Sequence, residues 1–217
     1  MGVTIDITGV PAERFVFSPS PLAELTAMVH ALSEPAHHPD LHGWVTATTS
    51  ALKPDLHDRL IEADFLWRSA RADFFVPGRP RATLAEELDD VDRLDDEAYA
   101  SAALMTTSCG SVPAHHANPL ATPAGRRRAL DLAAARGPRQ AEFAARLLAD
   151  PPAVRRWVRR LLEDCEQAFF ADAWARVLPR LAADSRHKAD LLTRHGLAAA
   201  LTAVSPPPHC QPTATAS

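Results

Sequence analysis

The densest grouping of chemically able side chains in the sequence is His37-His38-Pro39-Asp40-Leu41-His42. Imidazole nitrogens beside a carboxylate are donors that zinc and related divalent ions take. His37, His38 and His42 are therefore the candidate metal ligands. Pro39 interrupts the segment, so His38 and His42 cannot share a helical face as the paired histidines of a helical zinc motif do. The plainer reading is a loop and helix start in which these histidines cap, pack or face water. His115-His116 is a thinner grouping, in a loop, with Cys109 able to join it only through tertiary contact. No G-x-S-x-G, P-loop or G-x-G-x-x-G occurs. The acids between Glu86 and Glu97 would need two distinct environments to act as acid and base, and nothing in the pattern supplies them. The sequence reads as a non-enzyme with no catalytic residue and no cofactor.

Charge is the second signal. Eight acids and one arginine lie between Glu86 and Glu97, and ten arginines and three acids between Arg126 and Arg160. Clustered arginines are what phosphate contacts need, which makes Arg155, Arg156, Arg159 and Arg160 candidates for non-specific contact with DNA. The competing reading is a solvated helix face, part of whose charge is paired locally, Arg159 with Glu163 and Arg160 with Asp164. No aromatic is interleaved for stacking, and no zipper or zinc-finger spacing appears. Leu191–Leu197 resembles a helix-turn-helix junction, but the following helix to Val204 carries only Thr202 as a polar group. A recognition helix needs donors and acceptors there, so the segment reads as core packing.

The elements that must position these groups are mostly helices. Ser20 before Pro21 reads as an N-cap with proline at the first helical position. Leu22, Leu25, Val29 and Leu32 follow as an apolar stripe, ended by Pro35. His42–Leu52 is a second helix. Leu56, Leu60, Ala63 and Trp67 mark a third. Two prolines and a glycine keep Phe74–Pro80 out of a helix. Thr83 and Glu86 form a capping-box pattern, and another helix spans about Asp96 to Thr106. Residues 108–123 are a loop by composition. Residues 152–175 carry the best helical stripe, Val154, Trp157, Val158, Leu161, Leu162, Cys165 and Phe169, with the arginines facing away. Pro179 should end or kink it, Asp184 could cap the next helix, and Gly196 should stop that one. The four tryptophans read as core anchors, though a ligand pocket lined by some of them is compatible with a helical domain. At the N-terminus, alternation over residues 3–9 and Arg14–Phe17 predicts a short β-hairpin.

The sequence thus predicts a mainly α, multi-helix domain over residues 1–205 with a short N-terminal β-hairpin, and a disordered proline-rich tail over 206–217. The 217 residues, 47% apolar and 23% charged with a net charge of −4, suit an ordinary globular protein. No apolar run reaches membrane-span length, and the first residues lack the pattern of a secretory signal. Cys109, Cys165 and Cys210 are few, odd in number and far apart, which points to reduced thiols in the cytoplasm rather than a disulfide frame.

Longer stretches carry a resemblance. VTIDITGVPAERFVFSPSPLAEL, HALSEPAHHPDLHGW, LKPDLHDRLIEADFLWRS, TLAEELDDVDRLDDEAYASAAL and RHKADLLTRHGLAAALTAVSP resemble the N-terminal domain of actinobacterial ArsR-type transcriptional regulators, over about residues 2–205. In such proteins this domain, of undefined function, precedes a winged helix-turn-helix that binds DNA, commonly as a dimer. The resemblance implies an effector or oligomerisation domain, a homodimer, a small-molecule effector, and DNA as the partner of full-length relatives, with no membrane partner. No winged helix follows Val204, and SPPPHCQPTATAS departs from the family's continuation, so a truncated regulator is expected. No metal ligand or DNA-contact residue follows from the resemblance. The alternative is a stand-alone helical protein that binds a small molecule or metal.

Overall fold

A computed structural model of the chain describes residues 9–68, 70–107 and 119–204. It is mainly helical: α1 is Pro21–Ser33, α2 His42–Ala51, α3 Pro54–Ala63, α4 Leu84–Asp92, α5 Asp96–Thr107, α6 Pro123–Ala134, α7 Pro138–Ala149, α8 Pro151–Cys165 and α9 Ala171–Val204. A single π-helical turn, Glu166–Phe170, joins α8 to α9. The chain divides into two compact units, Ser20–Arg176 and the end segments Met1–Pro19 with Val177–Ser217. The expected tail, 206–217, lies outside the described residues.

Local signals account for most helix starts in the larger unit. The Ser20 hydroxyl accepts from the Ala23 N–H at 3.0 Å, and Pro21 begins α1. Thr83 and Glu86 close the capping box of α4. Thr122 caps α6 through Gly125, and Asp150 caps α8 through Ala153. α6 and α7 form a helical hairpin. Its turn passes through Gly137 at φ 142°, a conformation that side chains rarely adopt.

α8 is the central helix, packed by α3, α4, α5 and α7. Its predicted stripe is the one buried: Val154, Val158, Leu161, Leu162 and Cys165. Leu22, Leu25 and Val29 from α1, Leu56, Leu60 and Ala63 from α3, and Phe143, Leu147 and Leu148 from α7 complete that core. Trp67 is buried, while Trp157 and Trp174 pack against the core half-exposed and Trp44 meets Phe169 edge-on at 6.3 Å. Phe74 stacks on Tyr99 with ring centroids 4.7 Å apart, so the non-helical segment at Phe74 still anchors the core.

The smaller unit corrects three expectations. The β-hairpin is not supported: residues 3–8 lie outside the described residues, and Arg14–Phe17 is not a strand. Ala12–Arg14 closes a 3-10 turn instead, with the Phe15 N–H donating to the Ala12 carbonyl. Val16 is 66% exposed, so this short alternation had no buried sheet face to specify a register. Pro179 does not end the helix, which runs on past it as far as Gly196 with Leu178, Leu181 and Leu192 half-buried. Asp184 is interior rather than a cap and pairs with Lys188. Gly196 does break the helical geometry, at φ 81°. Leu201 and Val204 beyond it are exposed, so that end is only partly core. Among the described residues no helix is long and apolar enough to cross a membrane.

Candidate functional site

The site is built where two prolines break the chain after α1. Pro35 and Pro39 each start a 3-10 turn, Pro35–His37 and Pro39–Leu41. The residue before a proline is driven out of the helical region, and Glu34 and His38 accordingly have φ near −130° and ψ 61°. The two turns fold His37 and His38 back onto the last turn of α1. There His30, which the sequence reading did not single out, meets His38 edge-on with centroids 5.1 Å apart and His37 at 6.1 Å. The Trp67 carbonyl can only accept, so His30 Nδ1–H donates to it at 3.0 Å. Trp67 in turn donates its indole N–H to the Ser33 hydroxyl at 3.0 Å, which ties the end of α1 to this corner. Glu34 pairs with Arg68, whose hydrogen bond holds the Glu34 carboxyl below the usual carboxylate range. The Nε2 atom of His38 is buried without a hydrogen-bond partner.

His42 is not part of this cluster. It opens α2, exposed, and faces a groove instead. The expected set His37, His38 and His42 is thus divided, and no group of three His, Cys, Asp or Glu among the described residues is arranged to hold a metal ion. The reason is the pair of proline turns, which send His37 and His38 back along α1 and His42 forward into α2.

The groove has a volume of about 750 Å³ and is open to solvent. Pro35, Ala36 and Pro39 line it from the turns. His42, Val45, Thr46, Thr49 and Ser50 line it from α2, at helical spacings of three and four that put them on one face. The lining combines apolar carbon with hydroxyls and one imidazole. None of the four tryptophans lines it.

The arginine candidates separate into two kinds. Arg155 is nearly buried: its guanidinium donates to the Asp92 carbonyl at 3.0 Å and Asp96 at 2.9 Å, and lies 4.8 Å over the Tyr99 ring. Arg159 bonds Asp89 at 2.8 Å, Asp92 at 2.5 Å and Glu163 at 2.8 Å. Three of the eight acids, Asp89, Asp92 and Asp96, are therefore partners of the basic block, across α4, α5 and α8. Arg156 and Arg160 are exposed. The expected Arg160–Asp164 pair does not form, because Asp164 pairs with Arg59 of α3 at 2.8 Å. Burial raises the Tyr99 hydroxyl pKa and pushes the Cys165 thiol up to about 12, so both stay protonated at neutral pH.

The sequence reading also missed Glu87. Its carboxylate is 1% exposed and accepts from the Ser20 hydroxyl, the Leu22 N–H and the Arg81 N–H. A signal was present: Leu84, Glu87, Leu88 and Val91 are spaced as one helical stripe, with an acid inside it.

Fold and site together define a mainly helical protein whose larger unit carries an open, partly polar groove beside a histidine cluster. The chain belongs to a family of unknown function, DUF5937, whose model matches residues 1–215. No curated protein and no solved structure matches it.

Proposed function

We propose that this chain is the effector-binding and dimerising part of an ArsR-like transcriptional regulator acting in the cytoplasm. The observation that carries the reading is the groove on α2, beside the resemblance over residues 2–205. Its size and lining suit a small, largely apolar molecule with one or two hydrogen-bonding groups. Such a ligand would bias the helical domain toward one state, and a full-length regulator would pass that bias to its DNA-binding domain. Of the four arginine candidates, Arg156 and Arg160 are the ones exposed for phosphate contact, since Arg155 and Arg159 are committed to carboxylates.

The test is a salt titration of binding to the DNA upstream of the chain's own gene beside random DNA of equal length. No binding to either supports an effector and dimerising domain. Equal, steeply salt-dependent binding that R156Q/R160Q abolishes assigns the contact to phosphates. Preference for the upstream DNA overturns the effector-domain reading. A stand-alone small-molecule binder is the second reading, favoured by the same groove. A thermal-shift ligand screen, with V45W filling the groove as control, tests the groove itself and would leave neither reading standing if no compound distinguished the variant.

A further inference from the structure

We propose that His30 and His38 form a two-imidazole site for a divalent transition ion of the copper, nickel and zinc class. The inference goes beyond the regulator reading and does not depend on it. Three observations converge. The bond from His30 Nδ1–H to the Trp67 carbonyl fixes the tautomer, so Nε2 keeps its lone pair. A backbone carbonyl on the far nitrogen is the support that orients metal-ligating histidines. His38 Nε2 is buried and has no partner, an uncommon state that a bound ion would explain. The two ring centroids are 5.1 Å apart. With metal–nitrogen bonds of about 2.0–2.1 Å and a tetrahedral angle, two imidazoles on one ion have centroids about 5 Å apart.

The charges beside the pair balance one another. Glu34 and Asp64 offset Arg68, and Asp64 also bonds Arg139. Glu34 is committed to Arg68 and is not a ligand. No third described side chain completes a shell, so the remaining positions are open to water or an added ligand. That openness suits ions that bind imidazole strongly with few protein donors, copper most of all. His42, placed on the groove, is outside the site.

The experiment titrates the untagged full chain with nickel and zinc by calorimetry, and with copper by electron paramagnetic resonance. H30N keeps a donor for the Trp67 carbonyl while removing the ligand nitrogen, and H38Q removes the orphaned one. Far-UV circular dichroism checks that both variants stay helical. The expected result is one ion per chain, bound at least about tenfold more weakly in each variant, with the copper spectrum losing one nitrogen coupling. Binding in H42A and in H115A/H116A stays at the wild-type level. Failure of the wild-type chain to take up any of the three ions overturns the site. So does binding that survives H30N and H38Q, or that is lost in H42A or H115A/H116A.

Discussion

Glu87 is the most sharply testable residue in the fold. Its carboxylate, 1% exposed, crosses from α4 to the N-terminus of α1, accepting from Leu22 N–H at 2.7 Å and Ser20 Oγ at 2.9 Å on one oxygen and from Arg81 N–H at 2.9 Å on the other. Hydrogen bonds to an ionised acceptor contribute about 1.5–3 kcal/mol each, and a buried donor left unpaired costs about 1–3 kcal/mol. Glu87→Ala strands all these donors and leaves a void, so the expected loss is about 3–5 kcal/mol. Glu87→Gln keeps one accepting oxygen but turns an amide N–H₂ toward the donors on the other side. Its expected loss is about 2–3 kcal/mol, a melting temperature lower by about 4–10 °C for a chain of this size. The assay is urea unfolding followed by circular dichroism, reading the midpoint at unchanged slope. In a double-mutant cycle, Ser20→Ala and Glu87→Gln should couple by at least about 0.5 kcal/mol. If both Glu87 variants lay within about 0.5 kcal/mol of wild type, the buried carboxylate would not be holding α1 to α4, and the reasoning would be wrong.

Arg155→Ala should cost about 1.5–3 kcal/mol, because it removes a nearly buried guanidinium that bonds two groups and covers Tyr99. Arg159→Ala should cost about 1 kcal/mol, and less in 0.5 M salt, since its partners are partly exposed; Arg156→Gln and Arg160→Gln should change stability by under about 0.5 kcal/mol, and larger losses in chemical denaturation would contradict the division of the four. In a C109S/C210S chain, Cys165 should react with a thiol reagent at pH 8 only when unfolded, since burial pushes its thiol up to about 12; rapid labelling of the native protein would contradict this. Glu24 and Glu34 should respond to pH with opposite sign. Desolvation raises the Glu24 carboxyl in the folded state, so its contribution favours folding at low pH and is lost as pH rises through the folded value; E24Q should gain on wild type from pH 4 to pH 7. The Arg68 hydrogen bond lowers the Glu34 carboxyl, so its stabilisation is present above the unfolded value and lost as pH falls through the folded one; E34Q should be weaker than wild type at pH 7 and equal to it at low pH, and parallel pH profiles would refute both.

Helix starts and the buried stripe were legible in the residues themselves. Ser20-Pro21, Thr83 with Glu86, and Val154–Cys165 act through atoms within one or two turns of the chain. Signals of that range survive without knowledge of the fold. Gly196 was legible for the same reason, as a backbone need met by one residue. The N-terminal alternation was misleading because a strand requires a partner, and none of that information lies in four residues. Everything that gives the site its character was decided at longer range. His30 reached His37 and His38 only because two prolines turned the chain back on itself. Arg159 found Asp89 and Asp92 about seventy positions away, and Asp164 chose Arg59 over its helical neighbour Arg160. Glu87 looked like one more acid in a solvated run until α1 packed its N-terminus against it. The sequence by itself determined where helices begin and which face each buries, because those depend on hydrogen bonds and spacings within four residues. Only the tertiary structure decided which charges neutralise one another, which histidines meet and where a groove opens, because those depend on how finished helices pack.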